Sequence, residues 1–375
     1  MPTVQNFLVQ HGNKTFKEMP FCETDLYVLC LFGYADIRRT DVNKKFDLFN
    51  SLAPLKVFRN ESEMDVLTKK YLSPTRGYSI FIHRLIKSKR YEDVLFGYID
   101  DKMSRKANCQ FFGITFMIDN KVVVCFRGTD DSVAGWIEDL EMISDKIIPA
   151  WIESKKYIRK ILGLVDKNIT IIGHSKGGNL AYYSYFNSSK KNKLRIDKVY
   201  NFDGQGFMDD EYDYSEYGTK LIKIVPSDDI VGLLMDNSTN FEIVHSSSLG
   251  VMAHDMLTWG LDADNTLTNF FYVKKRIYLS QALEISMKIW MNNNRDNLLV
   301  LLKFFKRLFK VNNESNIKSF VFDAFFKEID YYEYFRDYGG EDKEIIINTG
   351  KDFIKTYIDV LLHINKYRKE HNVLK

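Results

Sequence analysis

Cysteine is scarce in this chain of 375 residues: Cys22, Cys30, Cys109 and Cys125 are scattered, with no CxxC spacing and no histidine cluster beside them. That argues against a disulfide framework and a zinc site of ordinary ligand spacing, and reduced thiols are expected. Excess charge of one sign is also missing, since 53 Lys and Arg face 50 Asp and Glu for a formal net charge of +3. A dedicated nucleic-acid binder would show a basic stripe, and the chain has none. No apolar run reaches about 18 residues, and the first fourteen residues contain no apolar signal-peptide core. The expectation is a soluble, cytoplasmic protein, with export by a route needing no N-terminal signal still compatible. Internal repeats and low-complexity linkers are absent.

What is present is the composition of a soluble chain with a sizeable core: 45% hydrophobic, 27% charged and 14% aromatic residues. The first hundred or so residues read as helical, with a capped apolar run at 24–34 (TDLYVLCLFGY) and helical spacing at 61–71 and 78–89. From Phe111 the period changes: FFGITFMI, an Asp119-Asn120 turn and VVVCFRG read as a hairpin that opens a sheet. A segment at 136–146 and a helix at 149–163 lead to NITIIGHS, a buried strand, and a helix resumes at 177–187. Short apolar runs at 198–202, 221–225 and 241–244 then alternate with crossover segments, the pattern of a mostly parallel sheet. Helices return at 279–291, 297–311, 317–329 and 351–366. The expected organisation is an N-terminal helical layer (1–107) packed on an α/β core (108–260), followed by a C-terminal helical region (261–375), all in one compact unit. The fold class is α/β, a mostly parallel sheet with helices on both faces and added helical segments at each end.

Gly173-His174-Ser175-Lys176-Gly177 fits G-x-S-x-G, between an apolar strand and a helix. In that context the motif reads as a nucleophile elbow, whose flanking glycines allow strained dihedrals and close strand-to-helix packing. The amide of Lys176, at the helix N-terminus, is then aimed at a developing oxyanion. A second donor can come from the loop Arg127-Gly128-Thr129, where Thr129 offers a backbone N–H and a hydroxyl. The competing reading of Gly128-Thr129-Asp130-Asp131 is an ordinary turn and helix cap.

A serine nucleophile needs a base, and the base needs an acid to orient it. His254, in GVMAHDMLTWG, follows the last expected strand and is the better base; His245, in VHSSS, is the alternative. His174 sits in the elbow itself, where packing or hydrogen bonding suits it better. His11, His83, His363 and His371 default to surface or core roles. For the acid, Asp228 and Asp229 in KIVPSDDIVGLL are placed ahead of Asp203 in NFDGQGF, because their loop lies two strands beyond the serine strand and precedes the His loop. Each Asp could equally be a turn or helix cap.

Assembled in that order, GHSKGGNLA, FRGTDDSVAGWIEDL and the Asp and His loops resemble the lipase-like α/β-hydrolases, the class-3 lipase type in particular. A bacterial family of unknown function within that superfamily is closer still, on FKEMPFCETDLYVLCLFGYADI, VYNFDGQGF, the Pro-Ser-Asp-Asp-Ile-Val-Gly loop and Ala253-His254-Asp255 with Trp259. The resemblance spans about 15–260 and weakly onward through Trp290. It implies an α/β-hydrolase fold, Ser175 as nucleophile, the amides of Thr129 and Lys176 as oxyanion hole and His254 as base. The class-3 register matches Asp229 as acid, that of the closer family Asp228, and His245-Ser246-Ser247 imitates the lipase His-Ser-Ser. Lys176 stands where lipases usually carry an apolar residue, which would leave a charge beside the oxyanion.

The function expected from this is a serine hydrolase of carboxylic esters, with lipid or phospholipid acyl esters as the substrate class and no cofactor or metal. The competing readings are a catalytically silent α/β-hydrolase fold used as a binding or scaffold protein, and an acyltransferase with the same triad. A small-molecule or lipid ester is the expected partner, with no nucleic acid and an oligomeric state the sequence leaves open. Residues 298–311 (LLVLLKFFKRLFKV) add a candidate membrane-surface helix, for which a core helix with a basic outer face is the commoner explanation.

Overall fold

The computed structural model describes residues 1–370 apart from 69–74, 105, 107–108, 131–132, 143–146, 208–211, 230, 237–239, 263–265 and 312–339. The helix expected at 317–329 and His371 therefore lie outside the described residues.

Eight strands form one sheet in sequence order: β1 (Leu52–Pro54), β2 (Leu95–Ser104), β3 (Cys109–Ile118), β4 (Lys121–Phe126), β5 (Ile169–His174), β6 (Ile196–Phe202), β7 (Leu221–Pro226) and β8 (Glu242–Val244). β1 to β4 pair antiparallel and β4 to β8 parallel, so this is a mixed, mostly parallel sheet of the α/β-hydrolase kind. The β3–β4 turn carries Asp119 at φ 50°, the left-handed backbone that a tight hairpin needs.

The sheet starts earlier than the sequence period suggests, because β1 and β2 come from the segment read as helical. In β2, LFGYIDDKMS, the alternation is broken at Gly97-Tyr98, where the register shifts and Tyr98 has φ 49°. Such a bulge hides a strand from a period-2 reading.

Parallel strands in strictly sequential order, joined by right-handed crossovers, send their crossover helices to a single face. The alternation along the strands shows the result. Val122, Val124, Phe126, Ile169, Ile171 and Val199 face one core with the helices Pro149–Leu164 and Lys176–Phe186. Val123, Cys125, Ile172, Tyr200 and Phe202 face another, covered by the N-terminal helices Val4–His11, Glu23–Phe32 and Thr75–Lys87 together with Trp259. Without its N-terminal layer the second face would be bare. That layer is pinned by a buried pair: Arg90 donates to both Asp25 oxygens at 2.8 and 2.6 Å, and the Tyr91 hydroxyl adds a third bond at 2.5 Å.

At the other end, the helix Tyr278–Asn293 packs against Gly340–Leu362, and Met291 joins the crossover-helix core. The helix Leu298–Val311 buries Leu298 and Leu301 with Ile346, while Lys303 stays exposed. Its described half is thus an amphipathic packing helix. Among the described residues no helix is long and apolar enough to cross a membrane.

Candidate active site

Parallel strands bring their C-terminal ends to one edge of the sheet, so the loops after β4, β5, β6 and β7 converge there. The loop after β5 is Ser175 itself. Its backbone is at φ 58°, ψ −133°, a conformation costly for a residue with a side chain, and the helix Lys176–Phe186 begins at the next residue. The Ser175 amide donates to Phe202 O at 3.0 Å, which ties the elbow to the end of β6. Close packing holds the turn: a Cβ on Gly177 would lie 2.1 Å from Phe126 O, and one on Gly128 would lie 2.9 Å from Ser175 Cβ. The loop after β4 therefore passes directly against the serine. Ser175 is half-buried, while its neighbours on both sides are buried.

Lys176 is the first helical residue, so its N–H is one of those for which the helix supplies no acceptor. Its ammonium is paired with carboxylates, a pairing the sequence did not show. It is fully buried, 3.1 Å from Glu138 Oε2 and 3.5 Å from Asp139 Oδ1, on the helix Val133–Glu141. Burial works to lower its pKa, and the charges of Asp139 and Glu138 outweigh that and hold it above its ordinary value. Glu138 also accepts from the amides of Gln110 and Ala150, both at 2.9 Å, which locks β3 and the helix Pro149–Leu164 to the same carboxylate. The Thr129 hydroxyl donates to Asp139, so it is committed to this cluster.

His254 closes the 3-10 turn Gly250–His254, and its side chain is 21% exposed. Its Nδ1 lies 2.7 Å from Asp203 Oδ2 and 3.3 Å from Asp229 Oδ2. Of the acids singled out in the sequence, the one ranked last thus lies nearest, Asp229 comes second, and Asp228 does not meet the ring. Asp228 instead accepts from Gly250 N at 2.7 Å and from the Ser280 hydroxyl at 2.7 Å, bracing the His loop against the start of the helix Tyr278–Asn293. Consecutive residues of a loop point in different directions, and one of the pair is spent on the brace. Asp203 is aimed by its own backbone at φ 52°, in a turn where Gly204 N donates to Asn201 Oδ1 at 2.6 Å. The signal that would have raised its rank is this tight Asn-Phe-Asp-Gly turn at a strand end. His245 lies elsewhere, its ring against Phe271 at 6.0 Å, and makes no ion pair among the described residues.

Two further residues support the His loop. His174 Nε2 lies 2.9 Å from His254 O, and its Nδ1 lies 2.7 Å from the Tyr34 hydroxyl. Burial, then the charge of His254, hold the His174 pKa well below 6.5, so the ring is neutral, donates from Nε2 and accepts at Nδ1 from Tyr34. Tyr34, from the N-terminal layer, would also meet a Cβ on Gly128 at 2.4 Å, so one phenol lies against both the Gly128 loop and His174. Trp259, fully buried, donates to Ala253 O at 2.8 Å and stacks on Tyr27.

Burial lowers the affinity of the His254 ring for a proton, and its hydrogen bonds to Asp203 and Asp229 outweigh that and raise its pKa above 6.5. Burial, then the neighbouring charge of Asp229, push the Asp203 carboxyl well above its ordinary range. Asp203, Asp229 and His254 are also the group whose donor atoms, within 4.8 Å of one another, come close enough to hold a metal among the described residues. Their spacing on Nδ1 is that of hydrogen bonds to a protonated nitrogen.

A strained serine at the edge of a mostly parallel sheet, with an Asp-bound histidine on the neighbouring loop, defines a lipase-like hydrolase fold. The sequence model of the Mbeg1-like family matches residues 85–310, more than half of the chain, and the protein belongs to that family. No curated protein matches it. Among solved structures, M37 lipase is 15% identical over 57% of this chain and 70% of its own, with a TM-score of 0.35. Rhizomucor miehei lipase in its propeptide complex is 13% identical over 56% and 70%, at 0.32. A mutant form of MDLA from Penicillium cyclopium is 12% identical over 56% and 80%, at 0.29.

Proposed function

We propose that the protein is a serine hydrolase of carboxylic esters that works through an acyl-enzyme. The carrying observation is that Ser175 stands on a strained elbow beside His174, whose ring lies 4.5 Å from that of His254, and that His254 Nδ1 is held 2.7 Å from Asp203. The Ser175 oxygen attacks the ester carbonyl while His254 Nε2 takes its proton. The amides of Thr129 and Lys176 receive the oxyanion, and the imidazolium returns the proton to the departing alcohol. Water, activated by the same ring, then hydrolyses the acyl-enzyme. Asp203 keeps the Nδ1–H tautomer and stabilises the imidazolium. The chemistry uses no cofactor.

The substrate class we assign is a lipid or phospholipid acyl ester, supported by the sequence blocks that resemble class-3 lipases. With the Lys176 ammonium bound by Glu138 and Asp139, the elbow holds no unpaired charge from that residue to repel a neutral acyl group.

The test is fluorophosphonate labelling located by peptide mass spectrometry, beside hydrolysis of p-nitrophenyl and glycerolipid esters. Label at Ser175 and a loss of at least about a thousandfold in kcat for Ser175→Ala are expected. A Ser175→Ala protein with full esterase activity would overturn the reading.

A further inference from the structure

One imidazole nitrogen facing two buried carboxylates is more than a single orienting acid requires. β6 and β7 are adjacent and parallel, so Asp203 at the end of one and Asp229 just past the end of the other must lie side by side. Both are buried, and consecutive amides of one turn hold them: Val231 N donates to Asp229 Oδ2 at 3.0 Å and Gly232 N to Asp203 Oδ1 at 3.1 Å. The nearby guanidinium of Arg276 meets the Asp229 backbone carbonyl, at 2.6 Å, and pairs its other nitrogen with Glu284. His174, the other ring beside His254, is neutral. Two ionised carboxylates whose oxygens lie within 4.8 Å of one another in such a buried place would repel, and a proton held between them relieves that repulsion.

We propose that Asp203 and Asp229 act as one acid, sharing a single proton and presenting one negative charge to His254 Nδ1, so that either can orient the base when the other is lost. This rests on the hydrolase reading above. The protons balance without a co-reactant. Before attack the pair holds one proton and Nδ1 its own; the Ser175 proton moves to Nε2 and later to the leaving alcohol. The pair's single charge matches the single charge of the imidazolium throughout.

The consequence is specific. Asp203→Asn replaces a carboxylic acid by an isosteric amide and leaves Asp229 ionised, so the charge facing Nδ1 is unchanged, and the converse holds for Asp229→Asn. Each single variant should lose about tenfold in kcat with KM nearly unchanged, whereas the double variant should lose about 10⁴-fold, far beyond the product of the singles. Gly232→Ala is an independent way to displace Asp203, since the new Cβ would stand 2.1 Å from its Oδ1. It should behave as Asp203→Asn does, not as the double variant does.

A second measurement does not depend on turnover: the Nδ1–H resonance of His254, assigned by ¹⁵N-histidine NMR. It should stay far downfield in both single variants and be lost or moved upfield only in the double. If one single variant loses as much kcat as the double, or alone abolishes the downfield resonance, the shared acid is overturned. If the wild type neither labels at Ser175 nor hydrolyses esters, the hydrolase reading fails, and the resonance alone still decides whether the two carboxylates act together.

Discussion

Two buried charge clusters flank Ser175, and they are built on opposite principles. On the Lys176 side, Glu138 and Asp139 face that residue's permanent cation, and Glu138 adds two backbone amides, so its charge is compensated at all times. On the His254 side, Asp203 and Asp229 accept from the amides of Gly232 and Val231 and face an imidazole instead of a permanent cation. The first cluster ties β3, the helix Val133–Glu141 and the elbow together. In the proposed mechanism the second gains its matching positive charge only when Ser175 gives up its proton, as a transition state with a developing imidazolium calls for.

The largest effect that separates the two lies in stability. Glu138→Ala removes a fully buried partner of Lys176 and strands two amides, and should cost about 3–5 kcal/mol in urea unfolding. Asp203→Asn, which leaves the single charge of the pair in place, should leave the unfolding midpoint near the wild-type value while kcat falls. Equal destabilisation by both would erase the distinction.

The pH dependence is next in size. In the proposed mechanism His254 acts as a base only when Nε2 is free, and its pKa is raised above 6.5 despite burial because Asp203 and Asp229 favour the charged ring. Activity should therefore rise with pH through a value above 6.5. In the Asp203→Asn/Asp229→Asn double variant the opposing effect of burial remains alone, so the acid limb of kcat/KM should move below that of the wild type. A limb that does not move would show that the carboxylates leave the imidazole proton affinity untouched.

The smallest effect tests the support behind the base. Tyr34→Phe removes the 2.7 Å bond to His174 Nδ1 and should lower kcat by roughly tenfold or less, the worth of one buried hydrogen bond of about 1 kcal/mol. KM should not change, because Tyr34 acts through His174 and the loop of His254.

Much of this was legible beforehand. The elbow was visible because a buried strand, a Gly-flanked serine and a helix follow one another locally, and each parallel strand from β5 to β8 showed as a short apolar run. The strands β1 and β2 were not, since one is three residues long and the other is bulged at Gly97-Tyr98. Among the acids, spacing along the chain favoured the loop after β7. It could not show that Asp228 would be spent on Gly250 and Ser280, or that the turn after β6 would aim Asp203 at the same nitrogen as Asp229. The pairing of Lys176 was hidden for the same reason: a motif gives a residue's place in the chain, and its ammonium follows the nearest buried carboxylates.

By itself the sequence determined the order of strands and helices from β3 to β8, the strained serine, and a histidine and aspartates on loops that follow it, because these depend on local period and turn chemistry. The tertiary structure alone decided which carboxylates meet the imidazole, where the lysine charge goes, and that Tyr34, 140 residues before His174 in the chain, supports it. The physical reason is that hydrogen bonds and charge pairing act over about 3 Å of space, and only packing of the two sheet faces brings those groups within that range.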